Sequence, residues 1–516
     1  MPETTYRFAP HPANGFLLGL RVPQLLGFVI AGALALVFLR VGGLGALALA
    51  LLCLVLAAGV LLVPVHGHTV EQWAPVTVRF FLGRYGSRSK FRAQRAQLGH
   101  LVRLPTGGLD PQSPQPPRAL PGELADLEFL EAELAQYEGA RFGVIKDRGA
   151  RTFTAALRIR GRAFALLSPE EREQRLEDYG AVLAALARDD CPVRRVAWIE
   201  RTLPGDSDAL GDYLLEAKRP DADLGQPSGE LISYLQLIGR AGDVADEHEL
   251  LFALQIDAQR PAARRAINRM GGGDLGALAV LAEEIGQFIE LLDTAAITVT
   301  GVLTRRGLAV AIRDAYDPWG RRARQRQLER STIIDEGVAP HTAGPVARSE
   351  RWSHLAADGA LHCTLWASEW PRIDVRALFL QPLLMDSRTT RTIAMCMELV
   401  GPSKAIRRAE RAATETATEQ NLRARIGQRT SQRQSQRDRA SSQSEQELAE
   451  GHAAVRYAAY VTISVPRNAA DALAELESDI SRVELEAKRA PLRLERMWGQ
   501  QSEAFTFGLP LCRGLR

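Results

Sequence analysis

Residues 151–160 read RTFTAALRIR, and this stretch indicates the fold class of the region around it. Apolar side chains alternate with polar ones along it: Phe153, Ala155, Leu157 and Ile159 against Thr152, Thr154, Arg158 and Arg160. A period of two is typical of a strand with one buried face. The sequence Ser168-Pro169-Glu170-Glu171 follows, with the residues of a capping box and a proline suited to the first helical position. A half-buried strand and a capped helix are therefore predicted.

The alternation of strands and helices continues toward the C-terminus. Further strands are predicted at 193–199, 249–257, 297–303, 361–367, 390–400, 454–465 and 492–498, and helices at 168–188, 274–292, 304–316 and 469–487. Residues 231–238 are mostly apolar. A polar connector at 318–349 separates two halves, which predicts cytoplasmic α/β domains at 123–335 and 350–516. Because some of the strands resemble antiparallel pairs, we expect α+β layers of ferredoxin-like type rather than a doubly wound sheet.

A long charged helical arm is predicted at 403–450, after Pro402. Between Gly427 and Glu447 it has almost no apolar residue, so its middle cannot pack and is expected to be exposed or disordered. Its arginines are Arg423, Arg425, Arg429, Arg433, Arg437 and Arg439. They could contact nucleic acid, but no aromatic residues lie between them, so contact with a protein partner is favoured.

Upstream of the first strand lies a region, 69–122, predicted to be a basic interfacial segment followed by a linker. Six prolines between Pro105 and Pro121 exclude a helix and predict a stiff linker. Residues 70–91 mix aromatic side chains with arginines, which is typical of a segment attracted to anionic lipid at the headgroup level. A plain solvated linker is the alternative.

Two apolar runs, at about 23–39 and 45–65, stand near the N-terminus with a short turn between them. A membrane-crossing helix needs about 20 mainly apolar residues, so 1–68 is predicted to be a transmembrane hairpin. The arginines of the two flanks place both termini in the cytoplasm of an inner-membrane protein. The candidate membrane-flanking residues are Arg21, Arg40, Arg79, Arg84 and Arg88. A secretory signal and a buried core hairpin are the alternatives.

Composition excludes several classes of protein. The 516 residues carry a net charge of only +3, so the chain as a whole is not a polycation. The five cysteines are scattered without metal-site or CxxC spacing, which predicts reduced thiols.

Motifs for catalysis and phosphate binding are missing from the sequence. The dipeptide Gly-Lys is absent, so there is no P-loop. Gly271-Gly272-Gly273 is followed by Asp274, which favours a helix-opening turn over a phosphate loop. His66 and His68 have no third ligand nearby in the sequence. The paired carboxylates Asp189, Asp190, Glu283 and Glu284 are interpreted as charges at helix surfaces or ends. We therefore expect no enzyme activity, no cofactor and no metal.

The N-terminal segment 6–91 resembles the PrgI-like family. Members of that family are the small two-helix inner-membrane subunits of conjugative type IV secretion systems. The resemblance rests on the entry Gly19-Leu20-Arg21-Val22-Pro23, the tight hairpin and the basic exit. The remainder, about 140–511, is similar to the N-terminal non-ATPase domain of the VirB-type secretion ATPase. Its matching segments include Tyr316-Asp317-Pro318, Glu369-Trp370-Pro371 and the ending Phe505 to Leu511. Actinobacterial membrane proteins of secretion-like clusters also look similar.

This resemblance implies a membrane-anchored structural subunit of a secretion or conjugation apparatus. The ATPase domain that follows the ending in that family is not in this sequence, which suggests an ATPase supplied in trans. Phe505, Leu509 and Pro510 are the residues expected to dock it. A homo- or hetero-oligomer is expected, with anionic lipid as a further partner. The alternatives are an EccE-like component of type VII secretion and a membrane-anchored nucleic-acid-binding protein.

Overall fold

The computed structural model describes residue 8 and 22–62, 69–85, 89–92, 120–134, 139–161, 164–203, 247–321, 337–371, 373–385, 389–408 and 453–515, with the single residues 229, 233, 236, 324, 410, 411 and 414. Its first three helices are α1, Val22–Val41, α2, Leu44–Leu62, and α3, Val70–Tyr85. Gly42 and Gly43 have φ of +75° and +92°, conformations that let the chain reverse between α1 and α2.

The predicted transmembrane hairpin, with spans at about 23–39 and 45–65, is wrong. A span needs about 20 consecutive, mainly apolar residues in one helix. Over the residues that the structure describes, no helix meets the requirements of length and apolar character for crossing a membrane. This finding also contradicts the predicted multi-pass placement in the inner membrane.

Thirteen strands form one antiparallel sheet. They are β1, Lys90–Arg92; β2, Leu127–Glu133; β3, Arg141–Asp147; β4, Thr152–Arg160; β5, Val193–Leu203; β6, Glu247–Asp257; β7, Thr298–Val302; β8, Ala347–Glu350; β9, Leu355–Ala357; β10, Ala360–Glu369; β11, Arg391–Val400; β12, Ala454–Pro466; and β13, Arg493–Arg496. Their order is β1-β8-β9-β10-β12-β11-β5-β6-β4-β3-β2, with β13 also paired to β10 and β7 to β4.

The remaining helices lie between these strands. They are α4, Pro169–Leu186; α5, Pro261–Arg269; α6, Gly273–Thr294; α7, Arg305–Tyr316; α8, Gln381–Met385; α9, Ala472–Arg489; and α10, Gln501–Phe505. The predicted capping box is confirmed, because Ser168 Oγ accepts the Glu171 N–H at 3.2 Å and Glu171 Oε2 accepts the Ser168 N–H at 2.9 Å.

The two halves of the sheet repeat one pairing pattern. In the first half β4 pairs with β6 and β7, and β6 pairs with β5. In the second half β10 pairs with β12 and β13, and β12 pairs with β11. Each half is therefore a β-α-β-β-α-β unit, preceded by a strand pair, β2–β3 or β8–β9. The seam is β5 against β11, from Arg195↔Glu398 to Thr202↔Arg391.

The predicted fold class is wrong, because it includes the transmembrane hairpin, and within the described residues no helix meets the requirements for crossing a membrane. The structure instead has one sheet, since pairing β5 with β11 satisfies the backbone groups that two separate sheets would leave at their edges. The boundaries predicted for the two α/β domains remain a prediction. Most of the predicted arm at 403–450 lies outside the described residues, although 402–408 are helical.

Both faces of the sheet are covered. Helices α4, α5 and α6 pack on one face of the first half, and α9 packs on the same face of the second half. Helix α7 and the C-terminal residues 505–512 cover the opposite face, where Ala156, Ala253 and Ala394 are buried. The half-buried prediction for β4 is correct only at the end of the strand, where Arg158 and Arg160 are exposed, whereas Thr152 and Thr154 are buried as well. The first part of the strand is covered on both faces and has no polar face to expose.

Candidate interaction surface

Helices α1 and α2 pack closely against each other as a hairpin. Small residues face the partner helix, with Ala31, Ala35 and Ala50 buried. At Gly27, an added Cβ would lie 2.8 Å from the end of the Leu61 side chain, so a larger residue there would require Leu61 to shift. Gln24 Nε2 donates to the Leu61 carbonyl at 2.9 Å, which ties the first turn of α1 to the end of α2. The pair is therefore a defined element.

The outer faces of this hairpin are apolar and exposed. The side chains concerned are Leu26, Val29, Ile30, Leu34, Leu36, Val37 and Leu39 of α1, Leu47, Leu49, Leu51, Leu52, Leu54, Val55 and Leu56 of α2, and Val78, Phe81 and Leu82 of α3. Exposed fractions reach 67% at Val29, with 65% at Leu36 and 64% at Leu51. Contiguous apolar surface on this scale is unusual for an isolated protein and marks an interaction site. We name these side chains the hairpin surface.

Helix α3 fixes the hairpin to the sheet. Trp73 stacks on Trp352 with ring centroids 5.7 Å apart, and the buried Phe80 meets the same ring edge-on at 5.1 Å. Arg79 Nη1 pairs with Glu503 Oε2 of α10 at 2.7 Å. Two aromatic contacts and one ion pair therefore seat α3 on the second half.

Strand β1 adds a second attachment directly after α3. It pairs antiparallel with β8, with Lys90 opposite Ser349 and Arg92 opposite Ala347. The Glu350 N–H also donates to the Ser89 carbonyl at 2.8 Å. Because β1 covers the outer edge of β8, the N-terminal segment becomes part of the sheet and not only a neighbour of it.

A polar cluster supports this seat from below. Glu350 Oε1 accepts the Ser502 N–H at 2.9 Å, and Arg348 contacts both Glu123 and Ser502. Burial raises the pKa of Glu350 above its ordinary value, the nearby charge of Glu123 adds to this, and Arg348 and Arg79 partly oppose it. The cluster joins the 3₁₀ turn Gly122–Leu124, β8 and α10, all on the side of the sheet where α3 docks.

The predicted membrane-flanking arginines separate into three groups. Arg79 is engaged by Glu503, and Arg40 and Arg84 are exposed on α1 and α3. Arg21 and Arg88 lie outside the described residues. The structure therefore directs Arg79 toward the protein body, and contact with anionic lipid remains a prediction.

The predicted docking residues Phe505, Leu509 and Pro510 are buried. The Phe505 ring lies 4.3 Å from the ring of Tyr316 and 4.7 Å from that of His362, measured between centroids. Leu509 belongs to the core between the sheet and α7. The three side chains therefore do not form an exposed surface for a partner. Their apolar character reflects packing, which sequence alone does not separate from binding.

The structure places the residues that were interpreted as ordinary charges, or considered as a metal pair, in different environments. Glu283 is exposed, but Glu284 is buried beside Cys191, whose Sγ lies 3.7 Å from Glu284 Oε2, and burial raises the pKa of both groups. Asp189 accepts the Ser403 N–H at 3.3 Å. His66 and His68 lie outside the described residues. Within the described part of the chain, no three His, Cys, Asp or Glu side chains are arranged to hold a metal ion.

Sequence reasoning missed the two residues that hold α3, Trp352 and Glu503. Trp352 is a lone aromatic residue in a polar stretch, a signal that could have been noticed but that does not identify its partner. No family model matches the chain, and no curated protein matches it significantly.

Proposed function

We propose that this chain is a non-catalytic structural subunit of a multiprotein assembly of the secretion or conjugation type, and that it docks a separate ATPase. The observation that carries the proposal is the hairpin surface, which is apolar, exposed and held to the body by α3. The secretion apparatus and the ATPase come from the resemblance described above. The docking site for the ATPase is not assigned to Phe505, Leu509 or Pro510, because these are buried.

The energetics favour covering of the hairpin surface by a partner. Complete burial of one large aliphatic side chain contributes about 1.5–3 kcal/mol. Sixteen such side chains and the aromatic Phe81 are exposed on the described residues of α1, α2 and α3. Because Trp352 and Glu503 hold α3 in place, little conformational freedom is lost when a partner covers the hairpin, so less of the gain is offset by ordering.

The test is purification of the tagged full-length chain from its native cells, with mass spectrometry of the proteins recovered with it. The variants Leu36→Glu and Leu51→Glu place a charge on the hairpin surface. Leu166→Glu is the matched control, since Leu166 is 86% exposed in the turn before α4 and lies outside the hairpin. We expect secretion-type subunits and a P-loop ATPase with the parent chain and with Leu166→Glu, and their loss with both hairpin variants.

Other outcomes are informative. Recovery of an EccC-like ATPase would move the assembly to type VII secretion. The proposal is wrong if no specific protein is recovered, if the hairpin variants recover the same set as the control, or if the pure chain turns over a substrate by itself.

A further inference from the structure

A cleft is bordered by the last residues of β4, the first residues of β6, strand β7 and the region that follows α7. It contains two neighbouring cavities of about 650 and 300 Å³. Both are lined by Arg158, Glu249 and Arg321. We name this region the arginine cleft. Its volume lies in the range of small-molecule sites.

Among the described residues, the cleft is lined by four arginines, Arg158, Arg160, Arg321 and Arg324, and by two carboxylates, Glu249 and Asp314, and Arg201 and Asp317 pair with these groups from behind. Arg158 Nη2 pairs with Glu249 Oε1 at 2.9 Å, and Arg201 Nη1 lies 3.3 Å from Glu249 Oε2. Arg324 pairs with Asp314 and with Asp317 at 2.7 Å each, and Arg321 lies 3.6 Å from Asp314. Arg160, at the end of β4, has no side-chain partner among the described residues. Among the described residues of the cleft, arginines therefore outnumber carboxylates by two.

Arg201 is a buried cation directly behind the lining of the cleft. The residue is only 1% exposed, yet its Nε and Nη2 groups have no hydrogen-bond partner in the described part of the chain. Its Nη1 group donates to the Ala311 carbonyl at 2.7 Å and contacts Glu249, and both of these residues line the smaller cavity. A buried guanidinium that shares its one carboxylate with Arg158 is costly, and a nearby anion would offset part of that cost.

The pKa of Glu249 agrees with this excess of positive charge, whereas burial raises the pKa of Asp314 despite the opposing charges of Arg324, Arg321 and Arg201. Burial raises the pKa of Glu249, but the charges of Arg201 and Arg158 outweigh it and leave the pKa below the ordinary value. His248, which lines the larger cavity, pairs through Nδ1 with Glu200 at 2.8 Å on the other face of the sheet. Because Glu200 already pairs with His248, its negative charge does not compensate the positive charges of the arginines.

The remaining lining suits an organic group. Ile159, Leu250, Val302 and Leu303 contribute apolar surface to the larger cavity. An added Cβ at Gly301 would meet nothing within 4 Å, so the β7 backbone is open to close approach. Planar guanidinium groups match the geometry of phosphate oxygens better than other cations do, because they donate two parallel hydrogen bonds.

We propose that the arginine cleft binds a phosphate-bearing small molecule with an apolar or aromatic portion, of the size of a mononucleotide. Arg158, Arg160 and Arg321 contact the phosphate, the field of Arg201 supports it from behind, and the apolar residues of β4, β6 and β7 hold the rest. This proposal is independent of the assembly role, because no residue of the hairpin surface takes part in it.

The test is isothermal titration calorimetry of the full-length chain with AMP, GMP, inorganic phosphate and adenosine. We expect AMP or GMP to bind, adenosine to bind at least about tenfold more weakly because it lacks the charge-assisted hydrogen bonds, and higher salt to weaken nucleotide binding. The variant Arg160→Gln should lose affinity on the same scale. Arg141→Gln is the control, because Arg141 is 64% exposed on β3 and pairs only with Glu133 at 3.5 Å.

The thermal midpoint of each variant separates loss of binding from loss of folding, and Arg160 is exposed, so Arg160→Gln is expected to fold normally. Binding of inorganic phosphate alone with no gain from AMP would contradict the organic part of the proposal. The cleft is not a phosphate site if no phosphorylated probe binds at millimolar concentration, or if Arg160→Gln and Arg141→Gln bind equally well.

Discussion

His362 of β10 shows how a single polar residue is accommodated in the core. It is fully buried, and its Nδ1 and Nε2 atoms lie 2.8 Å from Ser464 Oγ and 3.1 Å from the Tyr316 carbonyl. Because a carbonyl can only accept, Nε2 carries the proton and Nδ1 accepts from Ser464. Burial lowers the pKa of His362 to about 4, although the Tyr316 carbonyl opposes the shift. The ring is therefore neutral near pH 7.

Stability should fall as the pH decreases through this range. The unfolded chain binds a proton at His362 below a pKa of about 6.5, while the folded chain does so only near 4. Between pH 7 and pH 5 the unfolded state therefore binds more protons, and His362 should reduce the free energy of unfolding by about 2 kcal/mol. Urea unfolding of the parent chain and of His362→Gln at both pH values measures this.

The comparison isolates the histidine from the carboxylates, which titrate in both proteins. His362→Gln is expected to be less stable at pH 7 but to lose less stability at pH 5. An equal loss in both proteins would mean that His362 is not held neutral.

Helix α3 and strand β1 form the element that connects the hairpin to the body. Their contacts go to Trp352, Glu503 and the edge of β8, all in the second half of the sheet. None of these three contacts involves the first half of the sheet. Removal of the Trp352 ring should therefore loosen α3 without changing the core.

We predict that Trp352→Ala increases hydrogen exchange in 70–85. The two ring contacts contribute about 0.5–1.5 kcal/mol each, and each 1.4 kcal/mol corresponds to about a tenfold change in the opening equilibrium. Strands β4 and β6 should exchange at the parent rate. Leu166→Ala, an exposed apolar truncation elsewhere, serves as the control. Unchanged protection of α3 in Trp352→Ala would show that β1 alone holds the segment.

At the scale of the whole molecule, the C-terminal segment joins the two halves. It follows β13 of the second half but packs on the first, where Gln255 Nε2 donates to the Leu511 carbonyl at 2.8 Å. Arg195 Nη2 donates to the Leu515 carbonyl at 2.8 Å, and Arg513 Nη2 reaches Asp147 Oδ2 at 2.6 Å. The seam between β5 and β11 is therefore bridged on one face by this segment.

Deletion of residues 509–516 should destabilise the first half. Leu509, Leu511 and Cys512 are at most 3% exposed, and uncovering this core should cost roughly 3–6 kcal/mol. Differential scanning calorimetry is expected to show a lower midpoint and a first transition that separates from a second. A single transition at the parent midpoint would mean that the seam alone joins the halves. Arg493→Ala, which removes an exposed ion pair with Glu369, is the control.

Much of the local structure could be predicted because it depends on neighbours in sequence. The alternation in 152–160 and the cap at Ser168 both correspond to elements of the structure. The buried state of Glu284 and of Thr154 could not be predicted, because it depends on Cys191 and on the C-terminal segment, which are distant in sequence. The seat of α3 was missed for the same reason, since Trp73 and Trp352 are 279 positions apart.

The sequence by itself determined strands β4 to β7 and β10 to β13 and the start of α4, since period and capping are local properties. It did not identify β1, β2, β3, β8 and β9. It also determined that the N-terminal region includes two apolar segments. It did not decide whether either segment forms a helix that is long and apolar enough to cross a membrane. Only the tertiary structure decided that two similar units share one sheet, that Phe505 and Leu509 are core residues, and that arginines from β4, β5 and the region after α7 meet in one cleft. These outcomes depend on which edges and faces find a partner, and edge pairing and burial are set by residues far apart in the chain.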